Sequence, residues 1–122
     1  MKKKVVLISP PAPLLWDPEI YPPLGLLYLA SVLLREGYRV KYCDLRKERD
    51  YSKIPKADFY GVSATTTEAV EARKIGEFLK GKGVRIVGGA HASNLPEYFE
   101  NSYDAVVLGD GERTILDIIE NG

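Results

Sequence analysis

Hydroxyl groups, bare glycines and the sequence's single imidazole fall at four places, each directly after a run of apolar residues. Ser9 follows Val5–Ile8, and Ser63 with threonines 65–67 follows Phe59–Val62. Gly88, Gly89 and His91 follow Val84–Val87, and Gly109 and Gly111 follow Val106–Leu108. The chemistry on offer is recognition, through hydroxyl and main-chain hydrogen bonds on ground cleared of side chains. Glycine at a strand end marks a turn needing positive φ or the close approach of a ligand. A turn accounts for one of Gly88 and Gly89; two in succession favour a broad, flat ligand. Ser63 offers a hydroxyl to a ring nitrogen or a phosphate. Thr65 and Thr66 stand at a helix start, where they either donate to an anionic group near the helix dipole or cap the helix. His91 either bonds the ligand's periphery or is a satisfied loop residue, and a lone histidine is more often the second. Asp110 and Glu112 suit a helix cap and an acidic first turn, not a phosphate partner.

These residues are positioned by short β-branched runs alternating with amphipathic stretches. The sequence predicts strands over 5–9, 38–45, 58–64, 84–89 and 103–109, and helices over 23–37, 65–83 and 110–122, with a short helix over 94–101. "VVLIS" is continuously apolar, as in a strand buried on both faces. Leu26, Leu29, Ala30 and Leu33 share one helical face, with Gly37 placed to end that helix. Glu68 and Glu71 fall in the next helix's early turns, which Gly81 or Gly83 closes. Residues 46–57 read as a loop with one helical turn. Strands separated by helices predict a flavodoxin-like (Rossmann-like) α/β three-layer sandwich, with a five-stranded parallel sheet in the order 2-1-3-4-5. Ligands of such sheets bind beyond the carboxyl ends of the strands, where all four chemistry-bearing loops lie.

The first of these loops, "SPPAPLLWDPEIYPPLG", excludes common tenants of the fold. Dinucleotide binding needs G-x-G-x-x-G there, whereas Pro10, Pro11 and Pro13 have no N–H to donate. Asp44, placed like a ribose-binding acid, reads without those glycines as a strand-end polar residue. A receiver domain needs acids after strands one and three, where Ser9 and Ser63 stand. Trp16 lies either on a ligand or on the loop's own apolar residues.

The chain has 122 residues, enough for one domain over 1–122, with 17 basic and 17 acidic residues and zero net charge. Nothing forms a basic footprint for nucleic acid. The single cysteine, Cys43, excludes an internal disulfide or multi-cysteine metal site, and no metal ligands are assigned. No apolar run approaches a membrane span, and the start is too charged for a signal peptide, so a cytoplasmic protein is expected.

The segments "VVLISPPAP", "YPPLGLLYLASVLLREGYRVKYCDL", "FYGVSATTT", "VRIVGGAHASNLPE" and "YDAVVLGDGERTILDI" together resemble the N-terminal cobalamin-binding domain of B12-dependent radical SAM enzymes. The resemblance covers nearly the whole chain and rests on the combination of P-P-L-G, G-V-S-x-T, G-G-x-H and G-D-G-E. It implies base-off cobalamin (B12) across the carboxyl sheet edge, its nucleotide tail buried beside Ser63 and the strand-four glycines. The implied cofactor-binding positions are Ser9, Pro10, Gly25, Ser63, Thr65, Thr66, Gly88, Gly89, His91, Gly109 and Gly111. Related enzymes include methyltransferases. The loop after strand one lacks the cobalt-ligating histidine of D-x-H-x-x-G, which agrees with the radical SAM branch, and His91 does not inherit that role. C-x-x-x-C-x-x-C is absent, so this chain alone carries no catalytic motif. The implied partner is a radical SAM catalytic domain, which would bring S-adenosylmethionine and an iron-sulfur cluster. The residues alone leave two alternatives: a flavodoxin-like module for a nucleotide or flavin, and a ligand-free interaction domain.

Overall fold

A computed structural model describes residues 3–10, 24–45, 50–63, 69–88, 96–107 and 112–121. Strands β1 (Lys4–Ser9), β2 (Arg39–Asp44), β3 (Phe59–Ser63), β4 (Val84–Gly88) and β5 (Ala105–Val106) form one sheet, ordered β2-β1-β3-β4-β5. Every pairing is parallel. The helices are α1 (Leu24–Arg35), α2 (Ala69–Phe78) and α3 (Glu112–Asn121). The expected flavodoxin-like order is therefore the observed one.

Side chains alternate across a strand, so β1 feeds two cores at once. Val6 and Ile8 join Tyr60, Val62 and Val87 against Ala72 and Ile75 of α2. Val5 and Leu7 join Phe59 and Ile86 against Leu29 and Leu33 of α1 and Ile115 and Ile119 of α3. The four β1 residues are at most 1% exposed, which explains their uninterrupted apolar run. Each such side chain contributes about 1.5–3 kcal/mol of burial.

The helix ends follow from backbone conformation. Gly37, at φ 91°, donates its N–H to Leu34 O at 3.0 Å and stops α1. Gly81, at φ 80°, turns the chain after α2. Gly83 has a different job, because a Cβ there would lie 2.7 Å from Ala57 O and 2.9 Å from Tyr60 Cε2. Glycine lets this turn press against the start of β3.

The last strand departs from the expected 103–109. Its ladder covers Ala105–Val106 among the described residues, flanked by single bonds to β4 from Asp104 N–H to Arg85 O at 2.9 Å and from Val107 N–H to Val87 O at 2.8 Å, while 108–109 lie outside the described residues. Tyr103 is buried and donates its O–H to Ala72 O, while Asp104 accepts from Arg85. The short helix expected over 94–101 is a 3-10 turn, Pro96–Phe99, anchored by fully buried Phe99. A further 3-10 turn, Tyr51–Lys53, supplies the helical turn expected within 46–57.

Arg85 fastens these pieces together. Its Nη1 donates to Gly76 O and Ser102 O, both at 2.9 Å, and its Nε donates to Asp104 Oδ2 at 3.2 Å. Gly76 lies in the last turn of α2, where carbonyls lack intrahelical donors and the dipole favours a cation. Hydrogen bonding from Arg85 holds the Asp104 carboxyl below its ordinary range.

Candidate functional site

The chain reverses its direction of travel across the sheet between β1 and β3. β2 is added on one side of β1, and β3, β4 and β5 on the other. α1 covers one face and α2 the opposite one, so their connections diverge above these two strands. A crevice opens at such a switch point, outside the carboxyl ends of the strands.

The described rim consists of Ser9, Pro10, Ser63 and Gly88, with Gly25 in the first turn of α1. Ser9, Ser63 and Gly88 each come two residues after a position on the α1/α3 face: Leu7, Gly61 and Ile86. By alternation all three face the same way. Register places Ser63 beside Gly88, and the β1–β3 offset that pairs Ile8 with Val62 continues to Ser9 and Ser63. Two hydroxyls and a vacant position therefore stand side by side on adjoining strands. Thr65, Thr66, Gly89, His91, Gly109 and Gly111, and Trp16 with the rest of 11–23, lie outside the described residues.

The Ser9 hydroxyl is held, not loose. Tyr42 Oη donates to Ser9 Oγ at 2.8 Å, and Ser9 is 3% exposed. Leu45 N–H bonds the Ser9 carbonyl at 2.9 Å, fixing the end of β1. Ser63 is half-buried and Pro10 is buried. Sequence reasoning missed Tyr42, whose role needs β2 laid beside β1; the Leu7–Tyr42 register is the relevant signal.

The glycines divide into two kinds. A Cβ on Gly61 would meet Leu7 Cδ2 at 2.9 Å, so the space beside that glycine is filled by the protein's own leucine. On Gly88 the nearest atoms would be Val107 Cβ at 3.7 Å and Val107 O at 3.8 Å, ordinary contact. Nor is Gly88 among the glycines with positive φ. Among the described residues, neither turn geometry nor internal packing demands glycine there.

Other chemistry-bearing groups are structural. The Cys43 thiol is pushed up by burial and then by neighbouring Asp44, so it stays protonated and unreactive near neutral pH. Buried Glu71 accepts from Tyr51 Oη at 2.8 Å and lies 3.8 Å from Lys74 Nζ. Among the described residues, no group of three or more histidine, cysteine or acidic side chains is arranged to hold a metal.

This fold and rim define a doubly wound α/β domain whose candidate site is the β1/β3 switch point. The family model of the B12 binding domain matches residues 18–119. The chain belongs to the B12-binding domain family, which makes cobalamin its cofactor class. An uncharacterized methyltransferase of Pyrococcus horikoshii is 34% identical over 81% of this chain and 24% of that protein. The cytidylyl-2-hydroxyethylphosphonate methyltransferase of Streptomyces wedmorensis is 30% identical over 93% of this chain and 27% of its own length. Among solved structures, the cobalamin-dependent S-adenosylmethionine radical enzyme OxsB, with aqua-cobalamin and S-adenosylmethionine bound, matches with TM-score 0.81 at 21% identity. That match covers 98% of this chain and 18% of OxsB; apo OxsB matches with TM-score 0.72 at 22% identity. The chain thus spans about a quarter of the curated relatives' length.

Proposed function

We propose that this chain is the cobalamin-carrying module of a radical SAM methyltransferase-type enzyme, holding the cofactor base-off with its nucleotide tail among the strand ends. The observation that carries the reading is Gly88, a position that no described residue fills, flanked by Ser63 and in line with Ser9. A rim of this kind fits a large ligand that rests on main chain and meets a few hydroxyls. Ser63 would donate or accept at the tail, and Tyr42 would keep the Ser9 hydroxyl oriented toward the same crevice. Gly88 would admit the ligand to the main chain of β4. Bound cobalamin would supply a cobalt centre able to carry a methyl group. The roles of Pro10, Gly25, Thr65, Thr66, Gly89, His91, Gly109 and Gly111 in that contact belong to this same proposal.

The proposed partner is a radical SAM catalytic domain, the source of S-adenosylmethionine and an iron-sulfur cluster. Two observations support it. Relatives extend far beyond the matched region, and α1 leaves Leu27, Tyr28 and Leu34 exposed at 44%, 56% and 58%. Apolar surface of this kind marks an interaction face. No helix among the described residues is long and apolar enough to cross a membrane. A cytoplasmic location is a separate part of this proposal.

The test mixes the purified chain with hydroxocobalamin, removes free corrin by desalting and records the visible spectrum. Retained corrin with a base-off spectrum is the expected result. Absence of retained corrin under both oxidising and reducing conditions defeats the proposal, and a base-on spectrum defeats its tail component.

A further inference from the structure

At the opposite end of the sheet, by the amino ends of the strands, a groove of about 830 Å³ runs between the Tyr51–Lys53 turn and the end of α2. That volume lies within the range of small-molecule sites. Four cations line it, Lys4, Arg39, Lys56 and Lys82, against the single carboxylate of Asp58. Asp58 Oδ2 already accepts the Lys4 N–H at 2.9 Å. Among the described residues the side chains of Lys4, Arg39, Lys56 and Lys82 form no ion pair. In a chain whose 17 basic and 17 acidic residues cancel, this is a local concentration of positive charge.

The walls are flat and fixed. Tyr51 and Phe78 meet edge to face with ring centroids 5.6 Å apart, and Tyr51 Oη is tied to Glu71 at 2.8 Å. The Lys82 ammonium lies over the Phe78 ring, 5.2 Å from its centroid, and Phe78 is otherwise exposed. Tyr60 forms part of the floor; its Oη accepts Ala57 N–H at 3.1 Å, and Gly83 allows the neighbouring turn to close on it. Fixed aromatic surface bordered by cations outside any ion pair among the described residues matches a ligand that joins a flat ring to an anion.

We propose that this groove is a second binding site, for a nucleoside phosphate, separate from the carboxyl rim. It does not rest on the cobalamin reading. The ring stacks at Tyr51 and at Phe78, where it takes the place of the Lys82 ammonium, which turns to the phosphates beside Lys56 and Arg39. With exposed cations as the main contacts, the dissociation constant for ADP is on the order of 0.1 mM at low salt.

Amide chemical shifts of the isotopically labelled chain, followed while titrating ADP, pyrophosphate and adenosine separately, test the site. The expected result is saturable movement at Lys56, Gly81 and Lys82 with ADP and binding at least about tenfold weaker for either fragment. Ser9, Ser63 and Gly88 should not move. The exposed double variant Lys56→Gln/Lys82→Gln should weaken ADP roughly tenfold, and added salt should weaken it in the parent chain. Absence of saturation by about 5 mM ADP overturns the proposal. So does pyrophosphate binding as tightly as ADP, or movement confined to the rim. An acidic peptide that displaces ADP and binds more tightly would also overturn it, by making the groove a protein contact. Should the double variant fail to fold, the fragment comparison and shift map in the parent chain still decide.

Discussion

Gly88→Leu separates ligand space from structural need. A Cβ at this position meets Val107 at 3.7–3.8 Å, so the first added carbon fits without displacement. Three further carbons extend beyond it, on the face shared with Ser9 and Ser63. A cofactor resting against β4 must then shift away by more than an atom's width. Losing the serine hydrogen bonds costs about 1 kcal/mol each. Losing about 60 Å² of apolar contact costs roughly 1.5 kcal/mol. Together these weaken cobalamin binding by roughly 300-fold. Cofactor-free stability should change by no more than about 1 kcal/mol, with Gly88→Ala neutral or slightly stabilising because the unfolded chain loses freedom. Equilibrium dialysis against hydroxocobalamin, read by corrin absorbance, measures the first quantity, and thermal unfolding of the free chain measures the second. Unchanged affinity in Gly88→Leu would refute the placement. A stability loss above about 2 kcal/mol in Gly88→Ala would refute the claim that the fold does not need this glycine.

Three other outcomes follow from the packing. Gly61→Ala, with its Cβ 2.9 Å from Leu7 Cδ2, should destabilise the chain by about 1–3 kcal/mol in denaturant unfolding, the contrast to Gly88→Ala. Arg85→Met should cost about 2–5 kcal/mol, because the buried carbonyls of Gly76 and Ser102 lose their donor, and a loss under 1 kcal/mol would show that water replaces it. For Asp104 the folded carboxyl titrates below its unfolded value of about 3.9, so its stabilisation is present above that pH and lost as pH falls further. Its side chain is 47% exposed, which screens the pair, so the gap between parent and Asp104→Asn should be on the order of 1 kcal/mol at pH 7 and close below about pH 4; a gap constant from pH 7 to 3 would contradict this.

The architecture was legible because each strand's composition reports local burial. Val5–Ile8 is apolar throughout because both faces are covered, and Leu26, Leu29 and Leu33 recur at helical spacing because one face of α1 is. Long-range pairings were not legible. Arg85 draws on residues 76, 102 and 104, which come together only once α2, β4 and β5 are docked. The rim was half legible. Alternation aligns Ser9, Ser63 and Gly88, but nothing in the sequence separates Gly61, filled by Leu7, from Gly88, which no described residue fills. Tyr42 escaped notice because a tyrosine in a strand reads as packing until its hydroxyl is found on Ser9.

Both margins of the sheet discourage strand addition from outside. β2 shows solvent Arg39, Lys41 and Asp44 at alternating or terminal positions, and among the described residues the β5 ladder is two residues long. Charged and abbreviated borders make poor templates for a foreign strand. A module built this way can sit at high local concentration beside larger neighbours, or other copies of itself, without being recruited into a continuous intermolecular ladder.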